Sequence, residues 1–118
     1  WLGVTVENKK SKNRINILRN INATVRFLSL EPLLEDLGAL DLSNIHWAIV
    51  GGESGNKARP MDKEWAINIK NQCLEQNTKF FFKQWGTWGS DNIKRSKKAN
   101  GRLLEGEEWN EYPVLELV

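Results

Sequence analysis

Three glutamates in this chain each follow a short apolar segment that is typical of a buried β-strand. They are Glu7, Glu31 and Glu53, and the last is separated from its segment by Gly51-Gly52. The carboxyl ends of parallel strands meet at one edge of a sheet, where neighbouring strands lie ~4.8 Å apart. Carboxylates so close together repel one another unless a cation, a proton or a basic side chain lies among them. The spacing therefore predicts a polar pocket that binds a cation or a ligand with amino and hydroxyl groups.

The residues beside these glutamates complete the candidate site. Arg26, Arg59 and Lys83 are available as counter-charges, and glycine lets the backbone approach a ligand where a Cβ atom would collide. A structural interpretation stays open, because glutamates at strand ends also cap helices or form solvated ion pairs, and glycines also make turns. The pattern assigns no catalytic residue and no metal ligand. The candidate ligand-binding residues are Glu7, Asn8, Glu31, Gly51, Gly52, Glu53, Ser54, Arg59, Lys83 and Gln84.

A basic stretch close to two tryptophans is an alternative site. Lysine and arginine contact phosphates, and aromatic rings stack on bases, so this combination is suited to nucleic acid. A basic run is more often only a solvated loop. The residues of this alternative site are Trp85, Trp88, Lys94, Arg95, Lys97 and Lys98.

Composition and charge narrow the class of protein. The chain has 118 residues, a net charge of +2, 40% hydrophobic and 27% charged residues, which is ordinary for a soluble globular domain. No apolar run approaches the ~20 residues that span a bilayer, so we expect no membrane partner and a cytoplasmic location. Cys73 is the single cysteine, which excludes an internal disulfide and a cysteine metal cluster within this chain.

Four apolar segments, residues 2–6, 25–30, 45–50 and 80–82, alternate with stretches of helical spacing. The helical stretches begin near residue 15, residue 33 and residue 62, the second being short and irregular. This order predicts an α/β fold, β-α-β-α-β-α-β over residues 1–88, with a partial (β/α) barrel-like parallel sheet of about four strands. Residues 89–118 are expected to extend the same domain as a basic loop and a small carboxyl-terminal β-hairpin.

The chain begins inside a predicted strand, so we interpret it as a fragment, a processed product or an incomplete chain. Half a barrel leaves unpaired backbone groups on its first and last strands. We therefore expect these edges to be covered by a missing amino-terminal half, by a self-associated copy, or by the carboxyl-terminal segment.

Several motifs, taken together and in order, resemble a bacteriophage and prophage protein family of unknown function. The resemblance is to the carboxyl-terminal half of that family and covers nearly the whole chain. The family is similar to a divergent radical S-adenosylmethionine (SAM) barrel and distantly similar to spore photoproduct lyase. The motifs are Trp1–Asn8, Arg26–Leu34, Trp47–Gly55, Ala58–Met61, Phe81–Gly86, and Gly101–Leu104 before Trp109.

The resemblance implies a preceding half with further β-α units and a cysteine-rich segment like the iron–sulfur ligands of radical SAM enzymes. SAM and a [4Fe–4S] cluster are then cofactors of a full-length protein, whereas none is expected in this chain. Radical SAM enzymes hold the methionine end of SAM with a Gly-Gly-Glu segment on an early strand. In this family Gly51-Gly52-Glu53 follows a late strand, so the resemblance does not assign SAM binding to these residues.

Three functions are compatible with these observations. The leading hypothesis is the substrate-facing half of a radical-SAM-like enzyme, inactive alone, with Glu7, Glu31, Glu53 and Lys83 lining the barrel mouth. The second is a non-enzymatic phage module that binds nucleic acid or a host protein through Trp85, Trp88 and residues 94–98. The third is a metal-dependent hydrolase that uses the three glutamates.

Overall fold

Parallel strands form the sheet of this protein, and they lie in the order in which they occur in the chain. A computed structural model describes residues 1–114. The strands in that range are β1 (Leu2–Thr5), β2 (Arg26–Leu30), β3 (Trp47–Gly51) and β4 (Lys79–Gln84). Each strand pairs in parallel with the next. The predicted α/β class with a parallel sheet of about four strands is confirmed.

Of the three α-helices within residues 1–114, the second and third begin at a side-chain cap and the first begins without one. They are α1 (Asn13–Arg19), α2 (Lys63–Glu75) and α3 (Lys97–Asn100), and a 3₁₀ turn, Lys9–Ser11, precedes α1. Ile15 and Leu18 bury one side of α1. The carboxylate of Asp62 accepts a hydrogen bond from the Glu64 amide at 2.9 Å and so caps α2. None of these helices is long and apolar enough to cross a bilayer.

One face of the sheet carries the hydrophobic core. Side chains alternate between the two faces of a strand, and every second residue of β2, β3 and β4 is buried here: Leu28, Leu30, Ala48, Val50, Phe80 and Phe82. They pack in one cluster with Ile15 and Leu18 of α1 and Ile69 of α2, so both helices lie on this face. Burying each leucine or phenylalanine stabilises the fold by roughly 1.5–3 kcal/mol.

The opposite face of the sheet carries aromatic side chains around Trp47. The rings with centroids 5.4–6.2 Å from its own are those of Trp1, Phe27, Phe81 and Tyr112. The Trp47 indole nitrogen donates to the carbonyl of Glu111 at 2.9 Å. Trp1 and Tyr112 are 59% and 55% exposed, so this face, on which neither α1 nor α2 packs, is apolar and only partly covered.

The connection between β2 and β3 differs from the prediction. Spaced leucines predicted a helical turn, but no helix lies between these strands. Gly38 has a φ of +67°, and the carboxylate of Asp36 accepts a hydrogen bond from the Gly38 amide at 2.9 Å, which turns the chain instead. Leu33, Leu37 and Leu40 are still buried. The predicted helix between β2 and β3 is therefore wrong. An irregular loop connects these strands, and its leucines pack in the core.

Side chains of α2 supply the hydrogen bonds that this loop lacks. Gln72 accepts from the Leu40 amide at 2.6 Å and donates to the Gly38 carbonyl at 2.9 Å. One turn later, Gln76 accepts from the Leu42 amide at 2.8 Å and donates to the Leu40 carbonyl at 3.0 Å. Buried backbone groups are costly when left unpaired. These two glutamines therefore allow a buried segment without secondary structure.

Residues 109–111 cover the outer edge of β4. The amide of Phe82 donates to the carbonyl of Trp109 at 2.9 Å, and the amide of Glu111 donates to the carbonyl of Phe80 at 3.1 Å. An open edge strand is a site of pairing with other chains. Cover by the carboxyl-terminal segment, one of the predicted ways to protect an edge, is confirmed for β4.

The predicted small hairpin forms as a tight turn. Leu104 and Glu107 exchange backbone hydrogen bonds at 2.9 and 3.2 Å. Glu105 and Gly106 between them have φ values of +53° and +78°, as in the turns that match the twist of paired strands. The division of the chain into residues 1–88 and 89–118 stays a prediction, and residues 115–118 lie outside the described residues.

Candidate functional site

Glu31 joins the ends of β2 and β4 across the end of β3. Its Oε1 accepts a hydrogen bond from Gln84 Nε2 at 2.7 Å, and its Oε2 accepts one from Lys83 Nζ at 3.0 Å. Gln84 is buried and also donates to the carbonyl of Gly52 at 3.0 Å. A Cβ atom on Gly51 would lie 2.8 Å from Gln84 Nε2 and 3.2 Å from Glu31 Cδ. The missing side chain of Gly51 is therefore what allows Glu31 to reach β4.

The loop after β3 packs backbone to backbone on the loop after β4. The amide of Gly52 donates to the Gln84 carbonyl at 2.9 Å, and the amide of Thr87 donates to the Glu53 carbonyl at 3.1 Å. A Cβ atom on Gly52 would lie 1.9 Å from the carbonyl oxygen of Trp85. This contact requires glycine at position 52 for a structural reason. The loop that it fixes holds Glu53 at the edge of the sheet.

Glu53 is held by Arg59 in a two-point ion pair. Arg59 Nε donates to Glu53 Oε1 at 3.0 Å and Arg59 Nη2 to Oε2 at 2.9 Å, while the Arg59 amide also donates to Oε1 at 2.9 Å. These hydrogen bonds lower the pKa of Glu53 to about 2. The carboxylate is 24% exposed and the guanidinium 61% exposed. Glu53 is thus an ionised carboxylate beside a cation that faces solvent.

Glu7 and Asn8 follow β1 at the same edge of the sheet. The pKa of Arg59 is raised chiefly by its hydrogen bonds to Glu53, and the charge of Glu7 adds a smaller effect. The Glu7 carbonyl accepts a hydrogen bond from the Leu34 amide at 3.1 Å. Asn8 Oδ1 accepts from the Ser11 hydroxyl at 3.3 Å. Asn8 therefore helps to form the turn before α1.

The counter-charges of the cluster are supplied by two of the three predicted residues. Lys83 pairs with Glu31 and Arg59 pairs with Glu53. Arg26 is the first residue of β2, at the opposite end of the sheet, where its Nε donates to the Ile21 carbonyl at 2.8 Å. The prediction of Arg26 as a counter-charge is therefore wrong. Basic side chains relieve the repulsion between the carboxylates, and each carboxylate keeps lone pairs that a ligand can use.

The residues of the alternative basic site have unlike surroundings. Trp85 is only 3% exposed, and its Nε1 donates to the Leu103 carbonyl at 2.7 Å. The prediction that bases stack on Trp85 is therefore wrong. Trp88 is partly buried, and Lys94 Nζ lies 5.5 Å from the centroid of its ring. Arg95 forms two hydrogen bonds to the carboxylate of Asp91, at 2.8 and 2.6 Å. These contacts shape the loop.

Exposed cations and hydroxyls meet in a cleft beside the candidate site. The cleft has a volume of about 430 Å³. Ser54, which directly follows Glu53, lies in its wall opposite the basic stretch. The other lining residues are Gly55, Asn56, Thr87, Lys94, Arg95, Ser96 and Lys97. One cleft is thus bordered by residues of both predicted sites, Ser54 of the ligand-binding site and Lys94, Arg95 and Lys97 of the basic site.

The described residues do not fit an iron–sulfur cluster. Such clusters need several cysteine thiolates, and Cys73 is a lone thiol on the buried side of α2. Burial raises its pKa to about 12, so it is a protonated, structural side chain. Within residues 1–114, no three His, Cys, Asp or Glu side chains lie close enough together to hold a metal ion.

Sequence reasoning missed Asn100, which holds the loop after β4 in place. Its side-chain amide donates to the carbonyls of Gly86 and Thr87, both at 2.8 Å. Thr87 in turn accepts a hydrogen bond at its hydroxyl from the Gly55 amide at 3.0 Å. An asparagine before glycine predicts a turn. No local pattern predicts that its side chain binds carbonyls 13 and 14 positions earlier in the chain.

Comparison with known proteins assigns a family and no activity. The model of a family described as "Protein of unknown function (DUF5131)" matches residues 1–113. No curated protein and no solved structure matches the chain.

Proposed function

Because the chain belongs to the DUF5131 family of unknown function, we propose that it is the substrate-facing half of a radical-SAM-like barrel enzyme of phage or prophage origin. In this proposal, the carboxyl edge of the sheet binds a small polar ligand. The edge consists of the residues that follow the four strands, with Glu31, Glu53, Arg59, Lys83 and Gln84 at its centre. The radical SAM and phage assignments come from the sequence resemblance.

The architecture of the sheet supports the proposal. The strands follow one another in order, and the two longer helices both pack on one face of the sheet and not on the other. A segment of a (β/α) barrel has this arrangement, since helices surround the barrel and the opposite face of each strand points inward. The aromatic cluster around Trp47 would then fill the interior, and the strand ends would form the mouth.

The convergence of two carboxylates and two cations at this edge carries the proposal. Glu31 and Glu53 lie after different strands, yet Gly51 lets Glu31 extend over β3 toward Gln84. Active sites of (β/α) barrels lie at the carboxyl ends of the strands. The Glu31 carboxylate offers lone pairs to ligand amino or hydroxyl groups, and the half-exposed guanidinium of Arg59 offers donors. This set suits a ligand with both kinds of polar group.

The hydrolase hypothesis is less well supported. This hypothesis places the three glutamates around one metal ion, whereas within residues 1–114 no three His, Cys, Asp or Glu side chains lie close enough together to hold one. Arg59 and Lys83 already pair with Glu53 and Glu31, and their positive charge would repel a metal ion there. The geometry therefore favours a polar organic ligand over metal-assisted hydrolysis.

Anaerobic reconstitution tests the enzyme proposal. The product of the complete gene is treated with iron and sulfide, and so are the present 118 residues alone. We expect [4Fe–4S] absorbance only in the former, together with reductive cleavage of SAM when dithionite is added. If the complete product takes up no iron, the enzyme proposal is wrong and a binding module takes its place.

Variants of the edge test the site separately. We expect Glu31→Gln and Glu53→Gln in the complete product to lower turnover at least ~10-fold while the cluster absorbance is retained, because interactions with a reacting ligand weaken. Glu75→Gln, at the exposed end of α2, is the matched control. Equal activity of all three variants would contradict the location of the site.

A further inference from the structure

The positive charge of this protein is concentrated in one stretch. Residues 83–102 contain six lysines and arginines and one aspartate, a formal charge of +5, in a chain whose total is +2. The rest of the chain is therefore net acidic, by three charges. Such asymmetry is the electrostatic signature of a surface that binds polyanions.

The fold converts this stretch into a continuous surface. The cleft of about 430 Å³ between Ser54 and Lys97 adjoins a second cleft of about 490 Å³ at the end of β4. Lys97 lines both clefts, so they are contiguous. Arg95 lines the first cleft as well, and we call the other five cations that border the two clefts the basic track: Lys83, Lys94, Lys97, Lys98 and Arg102.

Three lysines of the basic track are available to a partner. Lys94, Lys97 and Lys98 are exposed, and no ion pair within residues 1–114 involves them. Arg95 differs, because its guanidinium is bound by Asp91 and also donates to the Asn100 side chain at 3.1 Å. Arg95 shapes the loop, and the three lysines provide charge.

Neutral donors lie among these cations. Ser54, Asn56, Thr87 and Ser96 line the first cleft, and hydroxyl and amide side chains commonly bind phosphate oxygens. Lys94 extends over Trp88, whose indole nitrogen donates to the Ala58 carbonyl at 2.8 Å, and this fixes the ring in place. The track therefore offers cations, hydroxyl groups and an amide for contacts with phosphates.

We propose that the basic track binds the sugar–phosphate backbone of single-stranded nucleic acid. Two contiguous clefts with five cations suit a chain of phosphates better than an isolated one, and a positively charged groove is how proteins follow a single strand. The binding is independent of sequence and weakens with salt, because counterions leave the phosphates. This inference does not depend on the proposed enzyme.

The test compares the full chain with two triple variants. One is Lys94→Gln, Lys97→Gln and Lys98→Gln together. The matched control is Lys10→Gln, Lys63→Gln and Lys79→Gln, which removes the same charge from exposed positions outside the track. Binding of a fluorescent single-stranded oligonucleotide is measured by anisotropy over a range of salt concentrations. Circular dichroism and thermal unfolding establish that each variant is folded.

We expect the track variant to bind at least ~10-fold more weakly at low salt. The slope of log affinity against log salt should fall by about 2, since each lost phosphate contact removes about 0.7 for a single strand. The control triple should keep the slope of the unaltered chain. Should the track triple fail to fold, Lys94→Gln and Lys98→Gln alone are each expected to lower the slope by about 0.7.

Three outcomes would overturn the proposal. Equal affinity loss in both triple variants would mean that only net charge matters. Displacement by millimolar inorganic phosphate, with no dependence on oligonucleotide length, would indicate a site for one phosphate group. Tighter binding of a duplex than of the single strand would exclude the single-strand assignment.

Discussion

The carboxylate of Glu31 and the side-chain amide of Gln84 form a 2.7 Å hydrogen bond that crosses strand β3. The two residues lie 53 positions apart in the chain. Glu31 directly follows β2 and Gln84 ends β4, and these two strands are not neighbours in the sheet. Their contact exists because Gly51, between them, has no side chain. It ties three of the four strand ends into one unit at the candidate site.

Alanine at position 51 or at position 52 should distinguish a clash with a side chain from a clash with the backbone. Gly51→Ala would displace the amide of Gln84, a side chain, and we expect a loss of about 1–3 kcal/mol in the free energy of unfolding. Gly52→Ala would meet the backbone carbonyl of Trp85 and should cost more. Denaturant unfolding measures both. In a Gln84→Ala background the effect of Gly51→Ala should shrink, and strict additivity would contradict the steric explanation.

The pair of Glu53 and Arg59 should make stability depend on pH in the acid range. The pKa of Glu53 is about 2 in the fold and about 4.3 in an unfolded chain. The stabilisation is therefore present above about pH 4.3 and is lost as the pH falls towards 2. Because Arg59 is exposed, we expect ~0.2–1 kcal/mol. The stability gap between the unaltered chain and Glu53→Gln should close over this range, whereas a gap of constant size would refute the pairing.

Gln72 should contribute more to stability than its position on a helix suggests. Gln72→Leu removes the acceptor of the Leu40 amide and the shorter of two hydrogen bonds to the Gly38 carbonyl, which keeps Asn68 as a donor at 3.3 Å. A buried polar group that loses its partner costs ~1–3 kcal/mol. The adjacent exposed residue provides the control, Asn71→Leu, which we expect to change stability little. Chemical denaturation of both variants gives the comparison. Similar stability of the two would mean that water replaces the glutamine.

Cys73 should be inert in the folded protein. Its pKa is about 12 and its side chain is fully buried, while alkylation requires an accessible thiolate. We expect iodoacetamide at mildly alkaline pH to react at least ~10-fold more slowly than in denaturing guanidinium chloride. Mass spectrometry of the labelled chain measures the extent. Rapid labelling under native conditions would mean that α2 opens readily.

The sequence by itself determined the strands, two of the helices and the edge at which the glutamates lie. Apolar runs such as Trp47–Val50 and the cap at Asp62 are local signals, since a strand needs apolar side chains and a helix start needs an acceptor. The turn at Glu105-Gly106 is local as well. The sequence also predicted membership of a family of unknown function, and the family model that matches residues 1–113 confirms that much.

Only the tertiary structure decided how the strand ends connect. The spacing of the leucines after Pro32 predicts a helix. In the structure, Gln72 and Gln76 accept hydrogen bonds from the Leu40 and Leu42 amides, so these amides are paired without a helix. Likewise, nothing local shows that Gly51 makes room for Glu31 or that Trp85 lies in the core. These outcomes depend on contacts between residues 18 to 53 positions apart, whose energies appear only when the elements have packed. Local patterns specify elements, and long-range packing specifies which side chains meet.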